Sequence, residues 1–251
     1  MNRKLTRSTV MAAKTSEKLL AVFHRLYARY GPQGWWPGES PFEMIVGAIL
    51  TQAAAWRNVE RAIANLKAAG VFSPQDLYQI SREELGRLLR PVGYFNAKAH
   101  KLQAFLDALY RDGHGDLARL LALPPPELRE RLLAIHGIGP ETADAIILYA
   151  AGKPSFVVDA YTRRVFHRLG LGPTSDAYEP WRSFFMESLP ADASLFNEYH
   201  ALIVRHGKEA CRRKPLCAAC PLLEVCPTGQ ARTGTGAVAT NRGGGPSSTG
   251  E

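Results

Sequence analysis

Three groups of residues in this 251-residue chain have the types and spacings to do chemistry. The first is His136-Gly-Ile-Gly-Pro140, lying between two stretches with helical apolar periodicity. Gly137 and Gly139 permit positive φ and close approach of another backbone, and Pro140 suits the first position of a helix. The amides that open such a helix point outward and can cradle a phosphate without reading sequence. The second is an isolated carboxylate, Asp159, twenty residues beyond Gly139 and preceded by Val-Val. A fixed anion can stabilise positive charge developing on a sugar, and it can orient or deprotonate water. Each part also has a plain structural reading: a helix–helix turn for the glycines and a helix N-cap for Asp159.

The third group holds all four cysteines, Cys211, Cys217, Cys220 and Cys226, in the pattern C-x5-C-x2-C-x5-C. Thiols so close together suit one metal centre. Disulfides do not fit a chain with no secretion signal. Only Cys217 and Cys220 have the knuckle spacing of structural zinc, so the wider arms favour a 4Fe-4S cluster over zinc. Arg205, Lys208, Arg212, Arg213 and Lys214 crowd the first half of this window. They make either a solvated basic surface around an anionic centre or a phosphate-binding loop braced by it.

The elements that must position these groups read as helices. Apolar residues recur at three- and four-residue spacing over 17–30, 42–52, 56–69, 83–90, 97–111, 127–135, 141–151, 160–169 and 195–206. Gly31, Gly70, Gly113 and Gly170 stand where helices stop, and Ser81-Arg-Glu-Glu84 has the form of a capping box. Pro124 to Pro126 punctuate a loop ahead of another helix. No alternating strand pattern occurs, so the expected fold is all-α with about ten helices. The longest apolar runs, 42–50 and 143–151, are too short to span a membrane. The basic N-terminus lacks the apolar core of a secretion signal, so 1–15 reads as a flexible basic arm on a cytoplasmic chain. The stretch 228–251 is rich in Gly, Thr and Ser and reads as a disordered tail. A net charge of +8 favours a polyanionic partner, most simply nucleic acid. No helix shows the basic amphipathic pattern with a broad apolar face that binding to a membrane surface requires.

The hairpin, Val157-Val158-Asp159 and the four-cysteine loop together resemble the helix–hairpin–helix DNA glycosylases of the endonuclease III type, over about 35–227. The resemblance implies two helical domains with double-stranded DNA lying across both, and a damaged base flipped into the cleft between them. A six-helix barrel would occupy 41–152, with the helix–hairpin–helix at 127–151. The iron–sulfur cluster domain would combine 16–40 with 153–227. The resemblance further implies a monomer, nucleoid-associated in the cytoplasm. It assigns Gln52, in Leu50-Thr-Gln52, to the gap left by the extruded base, although Ala53-Ala54-Ala55 follows where a polar pair is usual. Gly137, Gly139, Thr142, Arg212, Arg213 and Lys214 would meet DNA. Asp159 would both cap its helix and face the sugar.

One departure from the family pattern bears on the reaction. Bifunctional members carry lysine in G-x-G-x-K-T, whereas this chain reads Gly137-Ile-Gly139-Pro140-Glu141-Thr142. A carboxylate cannot form the imine that leads to strand cleavage, so base removal without a lysine-dependent lyase step is expected. Glu141 is a candidate catalytic residue, or simply an acid complementing the start of its helix. Trp35-Trp36-Pro37 and Trp56 are core residues or stacking walls for a flipped base, with Trp36, Pro37 and Trp56 the candidates for the pocket. The pattern Trp35-Trp36-Pro37, then Thr51-Gln52 with Trp56 four residues on, then Gly137-Ile-Gly139-Pro140-Glu141-Thr142-Ala143-Asp144, resembles two branches, the 3-methyladenine glycosylases and the uracil and thymine glycosylases. A DNA-binding module without chemistry is the alternative. An electron-transfer protein, suggested by the cysteines alone, would need neither the hairpin nor the basic surface.

Overall fold

The computed structural model describes residues 7–35 and 38–235. Trp36, Pro37, the first six residues of the expected arm and 236–251 of the expected tail lie outside them. The described residues form thirteen α-helices with three short 3-10 turns and one π turn, and no strand. The all-α expectation holds.

The first helix, α1 (Arg7–Tyr30), begins inside the stretch expected to be a flexible arm. Helix α2 (Pro41–Leu50) starts where the Ser40 hydroxyl accepts the Glu43 amide and Pro41 takes the first helical position. Ile45, Val46, Ile49 and Leu50 are fully buried, each contributing about 1.5–3 kcal/mol of apolar burial. Helix α2 packs against α3 (Trp56–Ala68), α6 (Phe95–Gly113) and α9 (Pro140–Ala145), while α4 (Pro74–Gln79), α5 (Arg82–Leu88) and α7 (Leu117–Ala122) pack on α6 and α8 (Pro125–Leu133) packs on α9. The chain past α9 continues as a π turn over Ile146–Ala150.

An extended segment with Phe156, Val157 and Val158 buried then leads to α10 (Ala160–Arg168). Helices α11 (Tyr178–Ser188) and α12 (Ala193–Glu209) follow, then the cysteine loop and α13 (Pro227–Thr233). Helix α1 returns to this end of the chain and packs on α11 and α12. Its Leu19, Val22 and Leu26 are buried there, and the Tyr199 hydroxyl donates to the Leu19 carbonyl at 2.7 Å. A single apolar core runs through both groups of helices.

Several local expectations need correction. Helix α13 occupies Pro227–Thr233, where the disordered tail was expected to begin at 228. It is held by Pro227 at its start and by the Gly229 amide donating to Cys226 Sγ at 3.3 Å. The capping box at Ser81 is half formed. Ser81 accepts the Glu84 amide at 3.2 Å, but the Glu84 carboxylate pairs with Arg87 instead of reaching back. Gly113 lies inside α6, and the left-handed turn that stops this helix falls at His114 and Gly115. Helices α4, α7 and α11 stand where no helix was expected. Among the described residues no helix is long and apolar enough to cross a membrane.

Candidate active site

The hairpin uses the freedom of one glycine, not two. Gly137 has φ +84°, and a side chain there would overlap the stem of Lys101 on α6. Gly139 has an ordinary φ of −91° at the N-cap of α9, and a Cβ built on it would face open space. Its lack of a side chain therefore leaves the approach to the first amides of α9 bare, whereas Gly137 shapes the turn.

Gln52, just past α2, is fastened to this hairpin. Its Nε2 donates to the Gly137 carbonyl at 3.1 Å and to the Thr142 hydroxyl at 3.2 Å, while Lys101 Nζ donates to its Oε1. Thr142 is buried beneath the turn. The neighbouring Ala53 holds a left-handed φ of +52°, a conformation costing a non-glycine residue roughly 1–3 kcal/mol.

Asp159 caps α10. Its Oδ1 accepts the Thr162 amide at 2.7 Å and the Thr162 hydroxyl at 3.0 Å. Its other oxygen, Oδ2, lies 3.7 Å from Nε2 of His200 on α12. Burial alone would raise this carboxyl, but His200 and the two Thr162 contacts outweigh it and hold it below its ordinary value. Nδ1 of His200 meets the Tyr149 hydroxyl at 2.5 Å. Tyr149 comes from the π turn, and its phenol is pushed well up, by burial first and by the charge of Asp159 second. It remains protonated.

Glu141 lies near Asp159 in the first turn of α9. It retains solvent exposure, yet the surrounding protein first, and the Asp159 charge second, raise its carboxyl; His200 and Arg163 oppose the shift. Two carboxyls thus have their affinities for a proton pushed in opposite directions, the pattern that separates an ionised group from an acid. Both line a cleft of about 360 Å³ with Trp35, Gln52, Trp56 and His200. Trp56 stands at the start of α3 with its indole donating to Glu60 at 2.8 Å. Lys208 also lines the cleft, its ammonium 6.0 Å from the Tyr161 ring. Lys153 does not: its ammonium donates to the Leu121 carbonyl at 2.5 Å and also to that of Leu123.

The four cysteines are free thiols lining one small cavity at the far end of α10. Among the described residues, no three His, Cys, Asp or Glu side chains converge closely enough to hold a single metal ion. Cys211, Cys217, Cys220 and Cys226 all line that cavity, so they are the residues that would hold a metal centre there. Burial raises the Cys220 and Cys226 thiols, and the other cysteines add to the shift. Four thiolates here would need a cation among them. Arg168 donates to Cys211 Sγ at 3.2 Å and to the Arg212 and Arg213 carbonyls at 2.7 and 3.2 Å. Arg164 holds the Cys211 carbonyl at 2.9 Å. The side chains of Arg212, Arg213 and Lys214 remain exposed, while Arg205 is spent on Glu209 at 3.0 Å and the Tyr30 carbonyl at 3.1 Å.

Residues 46–191 match the family model described as HhH-GPD superfamily base excision DNA repair protein. The chain belongs to the HhH-GPD superfamily. A Methanocaldococcus jannaschii protein, provisionally named a DNA repair glycosylase, is 42% identical over 84% of this chain and 96% of its own length. Among solved structures, a non-covalent endonuclease III–DNA complex superposes with a TM-score of 0.73 at 22% identity, over 87% of this chain and 98% of that one. The H. pylori 3-methyladenine DNA glycosylase bound to 1,N6-ethenoadenine gives 0.65 at 27% identity, over 79% and 97%. In this HhH-GPD chain, sequence reasoning missed Lys101, Tyr149, Arg168 and His200. None lies in a short motif. A tyrosine in an apolar run and a histidine in a helix read as core until the fold brings them to Asp159.

Proposed function

We propose that the chain is a monofunctional DNA glycosylase of base excision repair. It binds double-stranded DNA as a monomer, flips a damaged base into the cleft and removes it hydrolytically. The observation that carries this reading is the pairing in the cleft of Asp159, held ionised, with Glu141, which stands where bifunctional relatives carry lysine. As the glycosidic bond breaks, Asp159 stabilises the positive sugar and takes a proton from the attacking water. Glu141, nearer to protonation, serves the departing base. The endonuclease III–DNA complex and the ethenoadenine-bound glycosylase support DNA and a purine base as ligands of this architecture.

The hairpin amides opened by Gly139 take a phosphate, and Arg212, Arg213 and Lys214 take others. Thr142 acts by holding Gln52 to the hairpin, and Gln52 fills the gap in the duplex. Trp35 and Trp56 supply stacking surfaces, joined by Trp36 and Pro37, which lie outside the described residues. Cys211, Cys217, Cys220 and Cys226 hold a 4Fe-4S cluster, whose part is to brace the basic loop. The division into a barrel over 41–152 and a cluster domain of 16–40 and 153–227 places the cleft where they meet. The substrate is an alkylated purine such as 3-methyladenine, or uracil or a damaged pyrimidine.

The test is a panel of duplexes containing uracil, thymine glycol, or mismatched thymine or adenine, together with methylated DNA for 3-methyladenine release. Release of at least one base, lost in Asp159→Asn, is expected. Tight binding to an abasic-site analogue with no release from any duplex would instead make the chain a binding module.

A further inference from the structure

Gln52 has an amide engaged on both sides. Its Nε2 donates to the Gly137 carbonyl at 3.1 Å and to the Thr142 hydroxyl at 3.2 Å. On the other side Lys101 Nζ donates to Oε1. An ammonium only donates and a carbonyl only accepts, so these two neighbours leave the amide a single orientation. Turned over, Oε1 would meet the Gly137 carbonyl and the amide hydrogens would meet a cation. Thr142 cannot decide the matter, because a hydroxyl either donates or accepts. Lys101 therefore fixes the end of the amide that the hairpin leaves open.

Lys101 is committed to this contact along its whole length. Its Cγ and Cδ fill the space over Gly137 that a side chain there would need. The positive φ of Gly137 and its missing Cβ thus open the path by which the lysine passes the turn to reach Gln52. Among the described residues no carboxylate pairs with the ammonium. The nearby charge is another cation, Lys98, which is 3% exposed and donates to the Val92 carbonyl at 2.9 Å. Burial first, and Lys101 second, hold Lys98 below its ordinary value. A half-buried lysine kept beside a like charge and spent on a neutral amide is not there for ion pairing. Three elements meet on that amide: the loop that follows α2, helix α6 and the hairpin.

We propose that Lys101 is a positioning residue that acts through Gln52, aligning its amide and holding the loop after α2 against the hairpin. This rests on the glycosylase reading above, in which Gln52 takes the space of the extruded base. When the hairpin meets the duplex, Gln52 then arrives at the gap in one orientation. Without the ammonium, Oε1 loses its partner and the amide is free to turn. The left-handed Ala53 that follows gives the loop no relaxed alternative to hold it in place. Lys101 itself touches neither the base nor the sugar.

The test uses the full-length protein and a duplex carrying a tetrahydrofuran abasic analogue opposite 2-aminopurine, whose fluorescence reports what occupies the gap. Lys101→Met keeps the stem over Gly137 and removes only the ammonium. Wild type should change the fluorescence on binding, and Gln52→Ala should lose most of that change. Lys101→Met should lose a comparable part while still binding the duplex, and the double variant should lose no more than Gln52→Ala alone. A wild-type signal in either single variant, or losses that add in the double variant, would overturn the proposal. So would a salt dependence of binding that falls by about one ion in Lys101→Met whether residue 52 is Gln or Ala, which would make Lys101 a phosphate contact. Single-turnover release of whichever base wild type excises should slow at least about fivefold in Lys101→Met, with no further slowing on adding that change to Gln52→Ala. If wild type releases no base while the fluorescence pattern holds, the glycosylase reading fails and the assignment of Lys101 stands.

Discussion

At the residue scale, Asp159 caps α10 and is proposed to assist hydrolysis, two tasks that substitution can separate. Asparagine caps helices about as well as aspartate, whereas alanine costs about 1 kcal/mol. Asp159→Asn should therefore melt close to wild type and excise at least about 100-fold more slowly, the low end of what a positioned acid–base group contributes. Asp159→Ala should lose stability as well as activity. Calorimetry and single-turnover excision on the same preparations check this. The sign of the pH dependence follows from the lowered carboxyl. A carboxyl whose folded value lies below its ordinary 3.8 adds stability above that value and loses it as pH falls through the folded one. The stability gap between wild type and Asp159→Asn should thus be flat at neutral pH and close below about pH 4.

At the element scale, the hairpin glycines should behave differently from one another. Gly137→Ala forces a side chain into a positive-φ turn already filled by Lys101, so a loss of roughly 1–3 kcal/mol is expected in denaturant melts. Gly139→Ala meets no strain and no neighbour. It should melt like wild type yet bind duplex DNA several-fold more weakly, because its methyl group would stand before the amides at the start of α9. The sequence marks this hairpin clearly, because glycine and proline report on backbone geometry directly. It does not distinguish the two glycines, since only the fold shows which one has a neighbour. The main helices were legible from periodicity, with ends set by caps such as Ser40 and Ser81. Helix α11 was not, because Pro180 in its first turn reads as a break although the orphan amides there tolerate it. The π turn that carries Tyr149 to His200 has no signature in residue type.

At the scale of the whole molecule, a buried ionic centre ties α8 and α9 to α11. Asp144, fully buried, accepts from Arg129 and Arg182 at 3.0 Å each and from Ser155 at 2.6 Å; Arg129 also pairs with Glu179 at 2.5 Å. Asp144→Ala leaves half-buried guanidinium groups without their shared anion, and a loss of about 3–5 kcal/mol is expected in a chemical melt. The same centre fixes the segment carrying Ser155 four residues before Asp159, so the variant should also excise slowly after its melting point is allowed for. At the other end of α10, Arg164 and Arg168 hold the cysteine loop by its carbonyls. One helix thus has the candidate carboxylate at its start and the candidate cluster loop at its end, an arrangement the separate motifs could not reveal. The central claim is base removal without an amine nucleophile, even though Lys208 lines the cleft. It is tested most directly by incubating the protein with a lesion-bearing duplex in the presence of borohydride. The account predicts an intact strand carrying an abasic site, cut only by added alkali, and no protein–DNA adduct. A borohydride-trapped adduct, lost in Lys208→Ala, would contradict it.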